Sequence, residues 1–131
     1  MIIFTNGCYD ILHIGHIELF KYCKSFGGKV IVAINSDESI KEIKGNDRPI
    51  NKLSDRTQML SAIRYIDEVQ TFNTNEELEE IIKNVKPDIM IVGSDHKNKK
   101  VIGSEFAKKL LFFERIDEYS TTEIVQRISN R

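Results

Sequence analysis

Two histidines near the start of the chain are best placed, by type and spacing, to do chemistry. His13 and His16 flank Gly15 and follow the turn signal Asn6-Gly7. Residues three apart share a helix face, and imidazole N–H groups can donate hydrogen bonds to phosphoryl oxygens. The start of a helix also offers free backbone N–H groups and the positive end of the helix dipole. The spacing therefore predicts phosphate binding by both histidines, rather than one core histidine and one exposed histidine.

Glycines in the same run let the backbone approach a ligand. Gly7 allows the chain to turn tightly and to pass close to a bound group. Gly15 leaves no side chain between the two histidines, so a phosphate can reach the start of the following helix. Hydrogen bonds from the imidazoles should strengthen as negative charge shifts onto a leaving pyrophosphate. The run thus predicts chemistry at the phosphates of a nucleotide.

A first basic cluster follows the second predicted strand. Lys44 and Arg48 lie in the polar loop 44–49. We expect this loop at the edge of the sheet where ligands bind, so these two side chains indicate anion binding. Lys41 is expected in solvent at the end of a helix, where a cation complements the dipole.

A second cluster lies near the end of the chain. Ser120 can cap the last predicted helix, and the hydroxyls and N–H groups of Thr121 and Thr122 can hold a phosphate at the helix start. Arg115 directly follows a predicted strand, and its guanidinium can bind a triphosphate through two parallel hydrogen bonds. Capping and phosphate binding are compatible here.

Two aspartates carry less specific signals. Asp95 follows the fourth predicted strand, where it is either a turn carboxylate or a contact to the base or ribose of a nucleotide. Both interpretations stay open. Asp10 is favoured as a structural brace for the turn over a catalytic base.

The spacing of apolar residues predicts a single α/β domain over residues 1–131. Buried apolar runs predict strands at 2–4, 30–34, 68–72, 89–92 and 110–113. The segments between and after them predict helices that end near Gly27-Gly28, are capped by Asn35-Ser36-Asp37, by Ser54-Asp55 and by Asn75, begin at Ser104, and cover 121–128. The helix after Ser54-Asp55 is expected to carry Met59, Leu60, Ile63 and Ile66. This alternation predicts a Rossmann-like, doubly wound parallel sheet of about five strands with helices on both faces. Ligands bind such sheets beyond the carboxyl ends of the strands.

Composition narrows the class of protein. The 131 residues are 40% hydrophobic and 30% charged, with a formal net charge of −1. No basic field for nucleic acid is present, and no apolar run reaches the roughly 20 residues of a membrane span. The start of the chain lacks the pattern of a signal peptide, so we expect a cytoplasmic protein. Cys8 and Cys23 lack the spacing of a disulfide or zinc framework, so both are expected as reduced thiols, with Cys23 in the core.

Two common nucleotide-binding motifs are missing from the sequence. No Gly-x-x-x-x-Gly-Lys-[Ser/Thr] occurs, which excludes a P-loop enzyme. No Gly-x-Gly-x-x-Gly occurs either, which disfavours a dinucleotide site.

The motifs near the two ends together resemble those of the cytidylyltransferase-like nucleotidyltransferases. That pattern is (T)-x-G-x-[FY]-D-x-x-H-x-G-H near the start and R-x-x-x-x-S-T-T near the end, and residues 5–16 and 115–122 match it. Within this group, the stretches 4–13, 33–39, 44–51 and 55–56 are most similar to the adenylyltransferase domain of bifunctional heptose-phosphate kinase/adenylyltransferases. Glycerol-3-phosphate cytidylyltransferases are next. The segment 93–96, Gly-Ser-Asp-His, departs from the Gly-Gly-Asp-Tyr expected of the heptose enzymes.

The resemblance implies a mechanism and a set of site residues. A phosphate oxygen of a sugar 1-phosphate attacks the α-phosphorus of a nucleoside triphosphate in line, and pyrophosphate leaves without a covalent enzyme intermediate. Catalytic roles are implied for His13, His16, Lys44 and Arg115. Nucleotide contacts are implied for Thr5, Asn6, Gly7, Cys8, Tyr9, Gly15, Asp95, Ser120, Thr121 and Thr122. Asp10 and Arg48 are candidates for binding the acceptor.

The resemblance also implies partners. Mg²⁺ enters with the nucleoside triphosphate and is held largely through water, so no metal ligand is assigned in the protein. AMP transfer from ATP to D-glycero-β-D-manno-heptose 1-phosphate is the first choice, and CTP-dependent transfer to glycerol 3-phosphate or a related acceptor is the alternative. A homodimer is expected, and a separate sugar kinase could supply the acceptor because the chain has no kinase half.

Two other classes compete. Class I aminoacyl-tRNA synthetases share the His-Ile-Gly-His string, but this chain is short, lacks a Lys-Met-Ser-Lys-Ser loop and has no basic RNA-binding face. A non-catalytic nucleotide-binding module would keep the glycines but would not need both histidines, Lys44 and Arg115 together.

Overall fold

A computed structural model describes residues 1–114 and 121–130 of the chain. Its five strands are β1 (Ile2–Gly7), β2 (Lys29–Asn35), β3 (Glu68–Phe72), β4 (Ile89–Gly93) and β5 (Lys109–Phe113). Its helices are α1 (Ile14–Lys24), α2 (Asp37–Lys44), α3 (Leu53–Ser61), α4 (Asn75–Val85) and α5 (Thr121–Ser129). Short 3₁₀ turns cover Ser94–His96 and Ser104–Phe106.

All the strand pairs are parallel, and the order across the sheet is β3-β2-β1-β4-β5. Side chains alternate between the two faces of a strand, which the burial of β2 illustrates. Val30, Val32 and Ile34 face one core, and Ile31 and Ala33 face the other. Helices α1 and α3 cover the first core through Phe20, Cys23 and Leu60, and α4 covers the second through Leu78 and Ile82. The predicted α/β fold, with a doubly wound parallel sheet, is confirmed.

The strand order reverses direction between β1 and β4. From β1 the chain continues outward to β2 and β3, and it then returns to place β4 and β5 on the other side of β1. The connections after β1 and β4 therefore leave the sheet in opposite directions, which opens a crevice at their carboxyl ends. The segment with the two histidines follows β1 directly, so the fold places it at this crevice.

Capping residues differ from several sequence predictions. Helix α2 is capped within the predicted run 35–37, by Ser36, whose side chain accepts a hydrogen bond from the N–H of Ser39. Helix α4 is capped by Thr74 rather than Asn75, and α1 ends at Lys24 rather than at the glycine pair. Helix α3 begins after Lys52, one turn earlier than expected, and has no side-chain cap.

Two predicted helices are shorter than expected. Helix α3 ends at Ser61, so Ile63 and Ile66 lie in the connection to β3, although both still contact the first core. The helix predicted from Ser104 is only a 3₁₀ turn. Gly103 precedes it with a φ of +79° and packs against Ile82. An ordinary helix was predicted from Ser104, but β5 begins at Lys109 and leaves no room for one.

Within residues 1–114 and 121–130, no helix is both long and apolar enough to cross a membrane.

Candidate active site

A cavity of about 540 Å³ lies at the crevice between β1 and β4. Its walls come from the segment after β1, from the ends of α2, β4 and β5, and from α5. The lining residues are Gly7, Cys8, Tyr9, Asp10, His13, Gly15, His16, Leu19, Lys44, Gly93, Phe113, Thr122, Glu123 and Gln126. Most of the residues predicted to act on phosphates therefore surround one space.

The turn at the entrance to α1 is shaped by Tyr9. This residue has a φ of +48°, a left-handed conformation that a non-glycine residue adopts at a cost. Its buried ring packs edge-on against Phe20 and His16, with centroid separations of 5.2 and 5.1 Å. A Cβ at Gly7 would lie 2.9 Å from the Tyr9 ring, so the packing of this ring favours glycine there. Burial raises the pKa of Tyr9, partly offset by a hydrogen bond with the Thr5 side chain, so the phenol stays neutral.

His13 is the N-cap of α1. Its Nδ1 accepts a hydrogen bond from the N–H of Gly15 at 3.1 Å, so in the neutral ring the proton is carried by Nε2. The His13 ring stacks on that of His16, with centroids 3.8 Å apart and an interplanar angle of 25°. The cap therefore fixes both the tautomer of His13 and its place beside His16.

His16 is neutral at physiological pH. Burial, followed by the positive charges that His13 and Lys44 can carry, lowers the pKa of His16 to about 3. Its Nδ1 is buried and has no hydrogen-bond partner among the residues that the structure describes. An unsatisfied buried polar atom costs about 1–3 kcal/mol, which a bound phosphoryl oxygen or water could recover.

The low pKa of His16 predicts acid sensitivity of the fold. The unfolded side chain binds a proton below about pH 6.5, whereas the folded one does so only near pH 3. This contribution to stability is complete above pH 6.5 and is lost as the pH falls from there toward 3. Between pH 7.5 and 5 we expect wild type to lose about 1–2 kcal/mol more than His16→Gln, which cannot titrate.

Urea denaturation of both proteins at several pH values measures this difference. The carboxylates titrate in both variants, so subtracting one free energy of unfolding from the other isolates the histidine. Parallel pH profiles would show that His16 is not protected from protons in the folded state.

Lys44 reaches the same cavity from α2. The sequence predicted Lys44 in the loop 44–49 that follows α2. In the structure α2 is one residue longer than predicted, and Lys44 is its last residue. The side chain is exposed and lines the cavity. Its positive charge lowers the pKa of His16 and acts against the rise in the pKa of Cys8.

Asp10 and Arg48 form a buried pair at the edge of the cavity. Asp10 is 1% exposed and Arg48 is 11% exposed, and Arg48 Nε donates to Asp10 Oδ2 at 2.9 Å. The N–H groups of Ile50 and Asn51 also donate to the carboxylate, at 2.8 and 2.7 Å. Burial acts to raise the pKa of Asp10, but these hydrogen bonds outweigh it and the pKa is lowered. Asp10 thus ties the β1–α1 turn to the loop that follows α2.

Cys8 is a neutral thiol in the cavity wall. Its Sγ contacts Asn35 Oδ1 at 3.6 Å. Burial raises its pKa, against the opposing charges of Lys44, Arg56 and Arg48. Cys8 and Cys23 are both free thiols, and Cys23 is fully buried in the first core, as the sequence predicted.

Arg48, which pairs with Asp10, is not itself among the lining residues. The other predicted residues outside the cavity wall fall into three groups. Thr5 is buried within β1, and neither it nor Asn6 is among the lining residues. Asp95 is exposed in the 3₁₀ turn beyond β4, and the cavity is lined there by Gly93 instead. Arg115, Ser120 and the side chain of Thr121 lie outside the described residues. Thr122 does line the cavity, from the first turn of α5.

No role was assigned to Arg56 from the sequence. This residue is 0% exposed and lies beside the segments that border the cavity. A lone arginine in an amphipathic helix is usually read as a solvent-exposed residue. The signal that could have found it is its spacing, because Arg56 precedes the buried Leu60 by four residues and so shares its inward face. Leu19, Phe113, Glu123 and Gln126 were also not foreseen in the wall.

The cavity brings together most of the residues that the sequence predicted for a nucleotide site, and the sequence profile of the cytidylyltransferase-like family matches residues 4–127. The chain belongs to this family and is a nucleotidyltransferase. Proteins named bifunctional protein HldE are similar to it. The one from Campylobacter fetus is 45% identical over 126 residues, and the one from Helicobacter pylori is 43% identical over 127 residues.

These matches cover 96% and 97% of the chain but 27% of each relative, so the chain spans about a quarter of their length. A solved structure, that of a lipopolysaccharide core biosynthesis protein from Thermoplasma volcanium, is also similar. It has a TM-score of 0.71 and 25% sequence identity, over 89% of this chain and 98% of that one.

Proposed function

We propose that this nucleotidyltransferase moves AMP from ATP to a sugar phosphate, D-glycero-β-D-manno-heptose 1-phosphate, and releases pyrophosphate. The observation that carries the proposal is the stacked pair His13 and His16 with Lys44 around one cavity at the strand-order reversal. The choice of acceptor and base is supported by the similarity to HldE proteins and by the motif stretch 44–51.

The proposed reaction is a single in-line displacement. An oxygen of the acceptor phosphate forms a bond to the α-phosphorus of ATP, and the bond from that phosphorus to the bridging oxygen of the β-phosphate breaks. The electron pair leaves with pyrophosphate, so negative charge grows on the β-phosphate. Catalysis then consists of positioning and of stabilising that charge.

Each side chain has a proposed role that follows from its protonation and place. His13 donates through Nε2–H, since its Nδ1 is engaged by Gly15. Neutral His16 donates a hydrogen bond from its buried Nδ1–H to a phosphate oxygen. The ammonium of Lys44 neutralises the developing charge. Arg115, Ser120 and Thr121, with Thr122 of α5, are proposed to hold the far end of the triphosphate.

Mg²⁺ is proposed to arrive as part of the MgATP substrate. In residues 1–114 and 121–130, no group of three or more His, Cys, Asp or Glu side chains is arranged to hold a metal ion. A sugar kinase activity that makes the acceptor, a homodimeric assembly and a cytoplasmic location complete the proposal.

Pyrophosphate release tests the proposal across a matrix of substrates. ATP, CTP, GTP and UTP, each with Mg²⁺, are crossed with heptose 1-phosphate, glycerol 3-phosphate and related acceptors. We expect turnover with ATP and the heptose phosphate. Turnover only with CTP would replace the adenylyltransferase by a cytidylyltransferase, and tight MgATP binding without release for any acceptor would favour a non-catalytic module.

A further inference from the structure

The guanidinium of Arg56 joins the segments that border the cavity. From the inward face of α3, its Nη1 donates to the carbonyl oxygens of Cys8 at 3.0 Å and of Asn35 at 2.7 Å. Its Nη2 donates to Asp37 Oδ1 at 2.8 Å, and its Nε donates to the carbonyl of Asn51 at 2.9 Å. One side chain therefore ties the β1–α1 turn, the end of β2, the first turn of α2 and the loop before α3.

The surroundings of this group are unusual for a buried charge. Arg56 is 0% exposed, whereas its only carboxylate partner among the described residues, Asp37, is 39% exposed. The other acceptors are neutral carbonyls. Such an arrangement contributes little net stability compared with an apolar side chain of similar size, but it satisfies carbonyls that would otherwise be buried without a partner.

These contacts link the catalytic groups that come from different segments. Cys8 lies in the cavity wall between Gly7 and Tyr9, and the Tyr9 ring supports His16. Asp37 begins α2, and Lys44 ends it two turns later. The planar guanidinium of Arg56, which binds both the Cys8 carbonyl and the start of α2, therefore joins the segment with the histidine pair to the helix that carries the lysine.

We propose that Arg56 is a positioning residue for nucleotidyl transfer, which places Lys44 opposite His13 and His16 by fixing α2 against the β1–α1 turn. This inference rests on the proposed function of the same site. Arg56 touches no substrate in this role and acts through Lys44.

Arg56→Lys tests the role because it keeps the charge but replaces the planar fork by a single ammonium. We expect kcat for pyrophosphate release to fall about 10–100-fold, the scale of a small misplacement of a catalytic group. KM for MgATP should change by less than about 3-fold, since only charge stabilisation in the transition state is affected. Rates are measured at a temperature where circular dichroism shows each variant to be folded.

Ile82→Ala is the matched control for lost stability. Ile82 is fully buried in the core on the other face of the sheet, against α4, so its truncation destabilises the fold without touching the site. We expect its kcat to stay within about 2-fold of wild type under the same conditions. If Arg56→Lys reduced kcat no more than this control, Arg56 would be a structural residue only and the proposal would be overturned.

A double-mutant cycle with Lys44→Ala tests the route of the effect. If Arg56 acts through Lys44, Arg56→Lys should lower kcat by less than about 2-fold in the Lys44→Ala background. Additive losses would overturn that route.

If wild type turns over no acceptor, the proposed function fails, and the same cycle is read on the Kd of inorganic pyrophosphate. There Arg56→Lys should raise the Kd at least about 5-fold alone but less than about 2-fold beside Lys44→Ala, and equal effects in both backgrounds would refute the positioning role.

Discussion

Replacing His16 by alanine is expected to lower kcat for pyrophosphate release about 10²–10³-fold, the scale of losing one preorganised donor to developing charge. His16 is held by contacts on two sides, the stacked ring of His13 and the edge of Tyr9. Because it is neutral before substrate binds, it needs no proton from solvent to offer a hydrogen bond to the β-phosphate. Its loss should act on kcat more than on KM, since the charge that it is proposed to stabilise grows only as the bond to pyrophosphate breaks.

Lys21→Ala is the control for this measurement. Lys21 is exposed in the last turn of α1, away from the cavity wall. Its replacement keeps the helix and should leave kcat within about 2-fold of wild type. His16→Gln, which keeps hydrogen-bonding capacity but not the ring, should fall between the two. A near-wild-type rate for His16→Ala at saturating substrate would remove His16 from the reaction.

The layout of the site followed from the sequence because it depends on local patterns and one topological rule. Strands were predicted from buried apolar runs, and parallel strands bring all their carboxyl ends to one edge of the sheet. His13 and His16 were predicted to act together because a three-residue spacing on a helix leaves few arrangements open. The structure adds that His13 is the cap of α1, so the same side chain both starts the helix and faces the cavity.

The internal supports of the site could not be predicted in the same way. Arg56 contacts Cys8 and Asn35 across 48 and 21 residues of sequence, and no periodic pattern reports such distant partners. The left-handed turn at Tyr9 was also missed, because positive φ is expected of glycine or asparagine rather than tyrosine. Both features depend on tertiary packing, which overrides local propensity. Asp10 lies between these cases, since a bracing role was favoured but its partners were unknown.

Replacing Asp10 by alanine is expected to lower the free energy of unfolding by about 3–5 kcal/mol, because it breaks a buried ion pair from one side. The substitution leaves the Arg48 guanidinium and the N–H groups of Ile50 and Asn51 without their carboxylate. Asp10→Asn keeps the shape and one acceptor, so its loss should be smaller. Urea denaturation at pH 7.5 measures both. A loss below about 0.5 kcal/mol for alanine, the range of ordinary surface substitutions, would show that water replaces the carboxylate.

Removing Arg48 as well separates the brace from a role in substrate binding. In Asp10→Ala/Arg48→Met no buried charge is left alone, so part of the stability lost in Asp10→Ala should return. The single variant Arg48→Met completes the cycle. If the losses of Asp10→Ala and Arg48→Met simply added in the double variant, the pair would not be coupled in the folded state. If Asp10 instead bound the acceptor, Asp10→Asn would raise the KM of the acceptor while leaving the urea midpoint unchanged. Because the carboxylate is 1% exposed and accepts hydrogen bonds from Arg48 and two amides, we expect the midpoint to move.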